Sequence, residues 1–144
     1  MCGVDYPAMR NKIIVAAVLV LSGFAVGRAS QPAPAHIYEL RTYTAAEGKL
    51  DAVSARFRDN TRRIFERHNM KSVGYWLPSE GPMAGTTLIY ILEHPNREEA
   101  RKNWAAFSAD PEWQKVKADS EVNGRIVAKA ESVFMTATDY SAIK

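Results

Sequence analysis

The stretch Tyr38-Glu39-Leu40-Arg41-Thr42-Tyr43-Thr44 decides the fold, because it has the pattern of a strand that opens a small sheet. Successive side chains of a strand point to opposite sides. One face therefore carries Ile37, Glu39, Arg41 and Tyr43, and the other carries Tyr38, Leu40 and Thr42. An acid, a guanidinium and a phenol on one face indicate a polar surface or a cavity rather than an ordinary apolar core.

Extended and helical patterns alternate along the rest of the chain. Strands are predicted over 36–44, 72–77, 86–93 and 131–138, and the third is almost continuously apolar, which places it in the middle of a sheet. Between the first two strands, apolar residues recur at spacings of three and four, as on the buried side of a helix. This stripe comprises Leu50, Val53, Phe57, Thr61, Ile64 and His68.

A second helical region is predicted between the last two strands. Asn96 and Glu99 fit a capping box, and Asp110-Pro111 has the pattern of a further helix start. The resulting β-α-β-β-α-β order predicts an α+β domain with a four-stranded antiparallel sheet and both helices on one face. The opposite face would leave large apolar side chains in water. We therefore predict a homodimer in which two sheets stack face to face.

The first thirty residues are predicted to be an export signal. Arg10 and Lys12 precede an apolar run over 13–26, and small residues follow it. This run of fourteen residues is shorter than the ~20 needed to span a bilayer. Cleavage is expected after Ala29 or Ala35, and translation starts at Met1 or Met9.

The predicted organisation is a signal peptide over 1–30, a short linker over 31–36 and one domain over 37–144. The protein is expected in the periplasm or outside the cell, with no stable membrane insertion once the signal has been cleaved. Cys2 is the only cysteine and leaves with the signal, so the domain is expected to lack disulfides and thiolate metal sites.

The charge of the chain does not favour nucleic-acid binding. Three of the nineteen Lys and Arg and one of the sixteen Asp and Glu lie in the first thirty residues, so the remainder carries a formal charge of +1. The basic character of the whole chain therefore comes from the predicted signal. A nucleic-acid-binding domain ordinarily has a strong basic excess.

The mature chain resembles the NIPSNAP family, a branch of the dimeric α/β-barrel superfamily. The resemblance rests on the stretch 38–44, on Gly48-Lys49-Leu50, on 66–76 and on Asp110-Pro111-Glu112-Trp113. It ends at Thr138-Asp139-Tyr140-Ser141. It implies a ferredoxin-like subunit that pairs into a dimeric α/β barrel, with a cavity between two sheets. It implies little about chemistry.

Five side chains are candidates for lining that cavity: Glu39, Arg41, Tyr43, Trp76 and Glu93. Arg41 is suited to a carboxylate or enolate, and Glu39 or Glu93 to the role of a base. The same residues also fit an internal Glu–Arg network that only pairs buried charges, and we favour this interpretation.

The histidines predict neither a metal site nor a haem ligand. His68 continues the apolar stripe of the first helix and is interpreted as a satisfied residue at the helix end. His94 lies at a strand end before a proline and is a candidate for the mouth of the cavity, but we favour its interpretation as a turn residue. No nucleotide-binding loop, G-x-S-x-G or H-E-x-x-H motif occurs, so we expect no metal and no tightly held cofactor.

The leading functional hypothesis is an exported homodimeric barrel that binds a small apolar or aromatic molecule. The second is an enzyme similar to cofactor-independent monooxygenases or haem-handling proteins, by analogy of fold only. The third is a protein-interaction module without a ligand. Sequence does not choose among them, because the strand register decides which side chains face the cavity.

Overall fold

The structure, a computed structural model, describes residues 36–143. In chain order the elements are β1 (Ile37–Ala45), α1 (Leu50–Arg56), a π-helical segment (Phe57–Thr61), α2 (Arg62–Arg67), β2 (Lys71–Trp76), β3 (Thr87–His94), α3 (Arg97–Ala109), α4 (Pro111–Ser120) and β4 (Val127–Thr136). The predicted β-α-β-β-α-β order is confirmed. The predicted signal and its cleavage sites lie outside the described residues.

The four strands form one antiparallel sheet in the order β2-β3-β1-β4. The central position predicted for β3 is confirmed. The register places Arg41 opposite Tyr90 of β3 and Ser132 of β4, and it places Tyr38 opposite Glu93. Directly paired residues share a face of the sheet, so this register fixes which side chains of distant segments meet.

One face of the sheet is covered by the helices and contains the core. Leu88, Tyr90 and Leu92 of β3 pack there against Phe57 and Phe65 from the first helical region. Phe107 of α3 completes the aromatic cluster, with its ring centroid 4.8 Å from that of Phe65. We call this side of the sheet the covered face.

The other side, which we call the open face, carries no helix within residues 36–143. The register places Tyr38 and Leu40 of β1, Ile89 and Ile91 of β3, and Val133 of β4 on it. The last described residues, 137–143, border part of this face. A predominantly apolar sheet face without a helical cover is the feature from which the sequence predicted pairing with a second copy.

The first helical region contains a π-helical segment that the sequence pattern did not predict. The backbone N–H of Arg62 donates to the carbonyl of Phe57, five residues earlier, and the Thr61 hydroxyl donates to the carbonyl of Arg56 at 3.1 Å. The wider turn shifts the helix surface by one residue. Arg56 and Phe57 lie three and four residues after the buried Val53, and both are buried on the same side of the helix.

The predicted helix boundaries are confirmed by their capping contacts. Asn96 accepts a hydrogen bond from the backbone of Glu99 at 2.9 Å, and Asp110 caps α4, with Pro111 as its first residue. Asn69 adopts the left-handed conformation (φ 55°) directly after the first helical region. The largest boundary error concerns the last strand, which begins at Val127 rather than Glu131.

Candidate functional site

Glu39 lies at the centre of a buried polar cluster on the covered face. Its Oε1 accepts hydrogen bonds from Arg41 Nη1 at 2.9 Å and from Ser132 Oγ at 2.6 Å. Its Oε2 accepts from Trp104 Nε1 at 2.6 Å and from His94 Nε2 at 3.1 Å. We call these five residues the Glu39 cluster.

The contacts of the Glu39 cluster keep its carboxylate ionised. Burial by itself would raise the pKa of Glu39, but hydrogen bonds from His94, Ser132 and Trp104, together with the charge of Arg41, lower it to about 2. A carboxylate accepts hydrogen bonds and cannot donate, so Nε2 of His94 carries the hydrogen in this contact. With four donors already bound, Glu39 is poorly suited to take a proton from a substrate.

Arg41 connects the buried carboxylate to the edge of the cluster. Its guanidinium lies 4.5 Å from the ring centroid of Trp104, and Nη2 donates to the hydroxyl of Tyr43 at 3.3 Å. Burial opposes the charge of Arg41, but the neighbouring Tyr90, Tyr43 and Glu39 raise its pKa above the ordinary value. The side chain of Arg41 is 18% exposed, against 2% for Glu39, so the cation reaches solvent and the anion does not.

Three of the five predicted site residues therefore lie together. Glu39, Arg41 and Tyr43 share one face of β1, as the alternation predicted, and they are linked by hydrogen bonds. That face is the covered one, so these three side chains point towards the helices and away from the side on which a second sheet would stack. The geometry matches the internal Glu–Arg network that we favoured from the sequence.

Glu93 lies on the opposite side of the sheet from this cluster. It is paired with Tyr38 in the register, and its carboxylate contacts Lys71 Nζ at 2.9 Å and His36 Nδ1 at 2.5 Å. Burial would raise the pKa of Glu93, but these two contacts lower it. The structure thus does not bring Glu93 together with Glu39 or Arg41.

Trp76 is also separate from the Glu39 cluster. It ends the edge strand β2, is 49% exposed, and borders a surface groove together with Phe57, Tyr75 and Leu77. Its indole ring lies over Gly74, where an added Cβ would come within 2.7 Å of the ring. A ligand role for each of the five residues stays a prediction, but they do not line one common cavity.

Sequence reasoning missed three members of the Glu39 cluster. His94 is fully buried and closes β3 rather than lying in a turn, because its strand partner Ile37 brings it beside Glu39. Trp104 gave one signal, which is that the N–H of a buried indole needs an acceptor. Ser132 gave no signal, since only the pairing of β1 with β4 places it at Glu39.

His68 occupies the structural position predicted for it. It follows α2, and its Nε2 lies 2.6 Å from Oδ2 of Asp110, the residue that caps α4. Arg67 Nη2 contacts the same oxygen at 2.5 Å. Across residues 36–143, no group of three or more His, Cys, Asp and Glu is arranged to hold a metal ion.

A second candidate site is an apolar pocket of about 280 Å³ on the open face. Every strand contributes to it, through Tyr38, Val73, Ile91 and the pair Met135 and Thr136, and Ile143 of the C-terminal segment lies at its border. Tyr38 is 6% exposed, and its hydroxyl has no hydrogen-bond partner within the described residues. We call this the open-face pocket.

The family model of NIPSNAP matches residues 38–142 of the chain, which is most of its length. The chain belongs to the NIPSNAP family. The NIPSNAP resemblance identified from the sequence motifs is therefore confirmed, and with it the α+β fold. No protein in the curated set matches the chain significantly.

Solved structures share the fold of this NIPSNAP protein. One is a NIPSNAP family protein of unknown function from Agrobacterium tumefaciens, 22% identical, with a TM-score of 0.67 and coverage of 77% of this chain and 96% of that one. Another is an uncharacterised NIPSNAP-like domain protein from Burkholderia xenovorans, 17% identical, with a TM-score of 0.65 and coverage of 75% and 90%.

A more distant match is a cofactor-independent oxygenase from Streptomyces nogalater, 15% identical, with a TM-score of 0.50 and coverage of 75% of this chain and 98% of that one. At these identities the likeness concerns the fold alone. In the part of the NIPSNAP chain that the structure describes, no helix is both long and apolar enough to cross a membrane.

Proposed function

We propose that this NIPSNAP protein is exported, pairs through its open face into a homodimeric barrel, and binds a small apolar or aromatic molecule between the two sheets. The observation that carries the proposal is the open-face pocket, to which all four strands contribute an apolar or aromatic side chain. The pocket lies on the side where the sequence predicted a second copy, so pairing would enclose it.

The chemistry of the open-face pocket favours a mainly apolar ligand with one polar group. Val73, Ile91 and Met135 provide apolar walls, and the unpaired hydroxyl of Tyr38 provides one hydrogen-bonding group. A buried polar group without a partner is costly, and a ligand atom that pairs with Tyr38 would remove this cost. A volume of about 280 Å³ lies near the lower end of the ~300–1,000 Å³ typical of ligand pockets, which indicates a small molecule.

The same apolar face supports the homodimer. Val133 is 56% exposed in the isolated subunit, and it lies beside Leu40 on the open face. Stacked sheets bury such side chains against one another at a separation of about 10 Å. A second copy provides a matching apolar face without requiring another protein.

An oxygenase-like reaction is the alternative that the shared fold suggests, and the Glu39 cluster does not favour it. A general base works best with a pKa near the operating pH, whereas the pKa of Glu39 is lowered to about 2. The carboxylate is also saturated with hydrogen bonds from Arg41, Ser132, Trp104 and His94. We therefore place ligand binding ahead of catalysis by Glu39.

Native mass spectrometry of the protein recovered from a bacterial periplasm tests both parts of the binding proposal. We expect a dimer that carries extra mass, and we expect Ile91→Trp to remove that mass by filling the pocket. Ile89→Trp is the matched control, because Ile89 lies on the same face but does not border the pocket. A monomer would overturn the dimer, and a dimer without added mass in every preparation would favour the interaction module.

Export is tested by the N-terminus of the mature protein. If the signal is cleaved as proposed, N-terminal sequencing of material from the periplasm or the medium gives a chain that starts at Ser30 or at His36. An intact leader on protein that stays in the cytoplasm would contradict export and leave the binding proposal unaffected.

A further inference from the structure

We propose that the covered face has a second binding site, specific for a small aromatic carboxylate, between α1, α4 and the β1–β4 edge of the sheet. The site is a cavity of about 410 Å³, which we call the basic pocket. Its aromatic and charged border is formed by Tyr43, Arg56, Trp113, Lys117, Glu121 and Arg125. It lies on the other side of the sheet from the open-face pocket and is independent of it.

The positive charge of the basic pocket favours the binding of an anion. Arg56, Lys117 and Arg125 are cationic, and Glu121 is the one acidic side chain at the border. Glu121 is already engaged, because its Oε1 accepts from Arg56 Nη1 at 3.1 Å. Within residues 36–143, neither Lys117 nor Arg125 forms an ion pair, so two positive charges face the cavity without a counterion.

Arg56 supplies a buried donor that lacks a partner. Its side chain is 4% exposed, and Nη1 donates to Ser120 Oγ at 3.2 Å as well as to Glu121. Nε has no hydrogen-bond partner among the described residues. A buried guanidinium N–H is costly when left unpaired, and a carboxylate is the group whose geometry matches the guanidinium fork.

The walls of the basic pocket favour an aromatic body on this anion. Trp113 holds the Arg56 guanidinium 5.3 Å from its ring centroid, and Tyr43 is fixed by the hydrogen bond from Arg41. Val127 and Ala130 of the β1–β4 edge add apolar surface. An inorganic anion would leave these surfaces unused, whereas a flat ring would cover them while its carboxylate reaches Arg56 and Lys117.

The position of Arg56 in the helix is the local cause of this arrangement. It is the last residue of α1 and lies three residues after the buried Val53, on the same inward side of the helix as Phe57. Phe57 enters the aromatic core, and Arg56 enters the basic pocket. Segments of π-helix occur frequently at functional sites, and here such a segment begins at Phe57, directly after Arg56.

Isothermal titration with 2-naphthoate, its neutral isostere 2-naphthamide and inorganic phosphate tests the proposed ligand class. We expect 2-naphthoate to bind the purified full chain at least tenfold more tightly than either comparison ligand, because only it provides both charge and ring. Its affinity should fall as NaCl is raised, since Lys117 and Arg125 are exposed to screening. Equal affinity for the amide, or tighter binding of phosphate, would overturn the assignment.

Substitutions at the border of the basic pocket test whether 2-naphthoate binds there. Lys117→Gln and Arg125→Gln should each weaken 2-naphthoate binding about threefold, and Arg56→Gln about tenfold or more, as expected for loss of charge-assisted hydrogen bonds. Lys115→Gln is the matched control, because Lys115 lies on the same helix but pairs with Asp119 and does not border the pocket. If Arg56→Gln does not fold, the double variant Lys117→Gln/Arg125→Gln tests whether 2-naphthoate binds in the basic pocket. Unchanged binding in that variant would overturn the site.

Discussion

At the scale of single residues, the carboxylate of Glu39 is the group on which the covered face depends most. We predict that Glu39→Gln lowers the free energy of unfolding by about 3 kcal/mol, because it leaves the Arg41 cation without its partner in a buried setting. Urea denaturation measures this change. Glu131→Gln, at an exposed position of β4, is the control and should stay within about 0.5 kcal/mol of the wild type. Equal stability of the two variants would contradict the role assigned to Glu39.

The lowered pKa of Glu39 also predicts a pH dependence. Its pKa falls from 4.5 to about 2 on folding, so the ionised carboxylate stabilises the native state above pH 4.5, and this contribution is lost as the pH falls towards 2. A shift of this size corresponds to about 3 kcal/mol. The stability difference between the wild type and Glu39→Gln should therefore shrink between pH 5 and pH 2. A difference that stays constant over this range would mean that Glu39 acts through packing and not through its charge.

Single residues also show which parts of the candidate site the sequence could predict and which parts it could not. Alternation along β1 correctly grouped Glu39, Arg41 and Tyr43, because this property is local to one strand. Alternation does not show which of the two faces the helices cover. That choice depends on the register with β3 and β4, which brings His94 and Ser132 to Glu39 from 55 and 93 residues away.

At the scale of elements, Asp110 connects two helical regions that are distant in sequence. It caps α4 by accepting from the backbone of Glu112 and Trp113, and it also contacts Arg67 and His68 at the end of α2. Asn96 caps α3 without such ion pairs, and its replacement by alanine should cost about 1 kcal/mol. We predict that Asp110→Ala lowers the Tm more than Asn96→Ala does, as measured by circular dichroism. Equal losses would mean that the ion pairs add nothing to the cap.

The elements themselves were predictable to different degrees. The caps at Asn96 and Asp110 follow from side-chain chemistry within a few residues, so the sequence indicated them correctly. The π-helical segment left no such signal, because the stripe through Val53, Phe57 and Thr61 fits a regular helix equally well. The basic pocket was missed for a different reason, since only the packing of α1 against α4 and the sheet brings Arg56, Lys117 and Arg125 to one cavity.

At the scale of the whole molecule, the open face of the NIPSNAP subunit is the surface through which we propose that two copies pair. We predict that Val133→Glu converts the proposed dimer into a monomer, because a charge would be buried between two apolar sheets. Val133 is 56% exposed in the subunit, so the substitution should leave the subunit fold intact. Analytical ultracentrifugation measures the change in mass.

Val122→Glu is the matched control for this prediction. Val122 is 79% exposed, lies between α4 and β4, and is outside the sheet, so the same change of residue there should leave the dimer unaffected. If both variants stay dimeric, the dimer uses another surface, and the open-face pocket would not be enclosed by pairing. If only Val133→Glu dissociates, the added mass in native spectra should be lost with the dimer, because one sheet alone leaves the pocket open to solvent. Assembly and ligand binding would then depend on the same face.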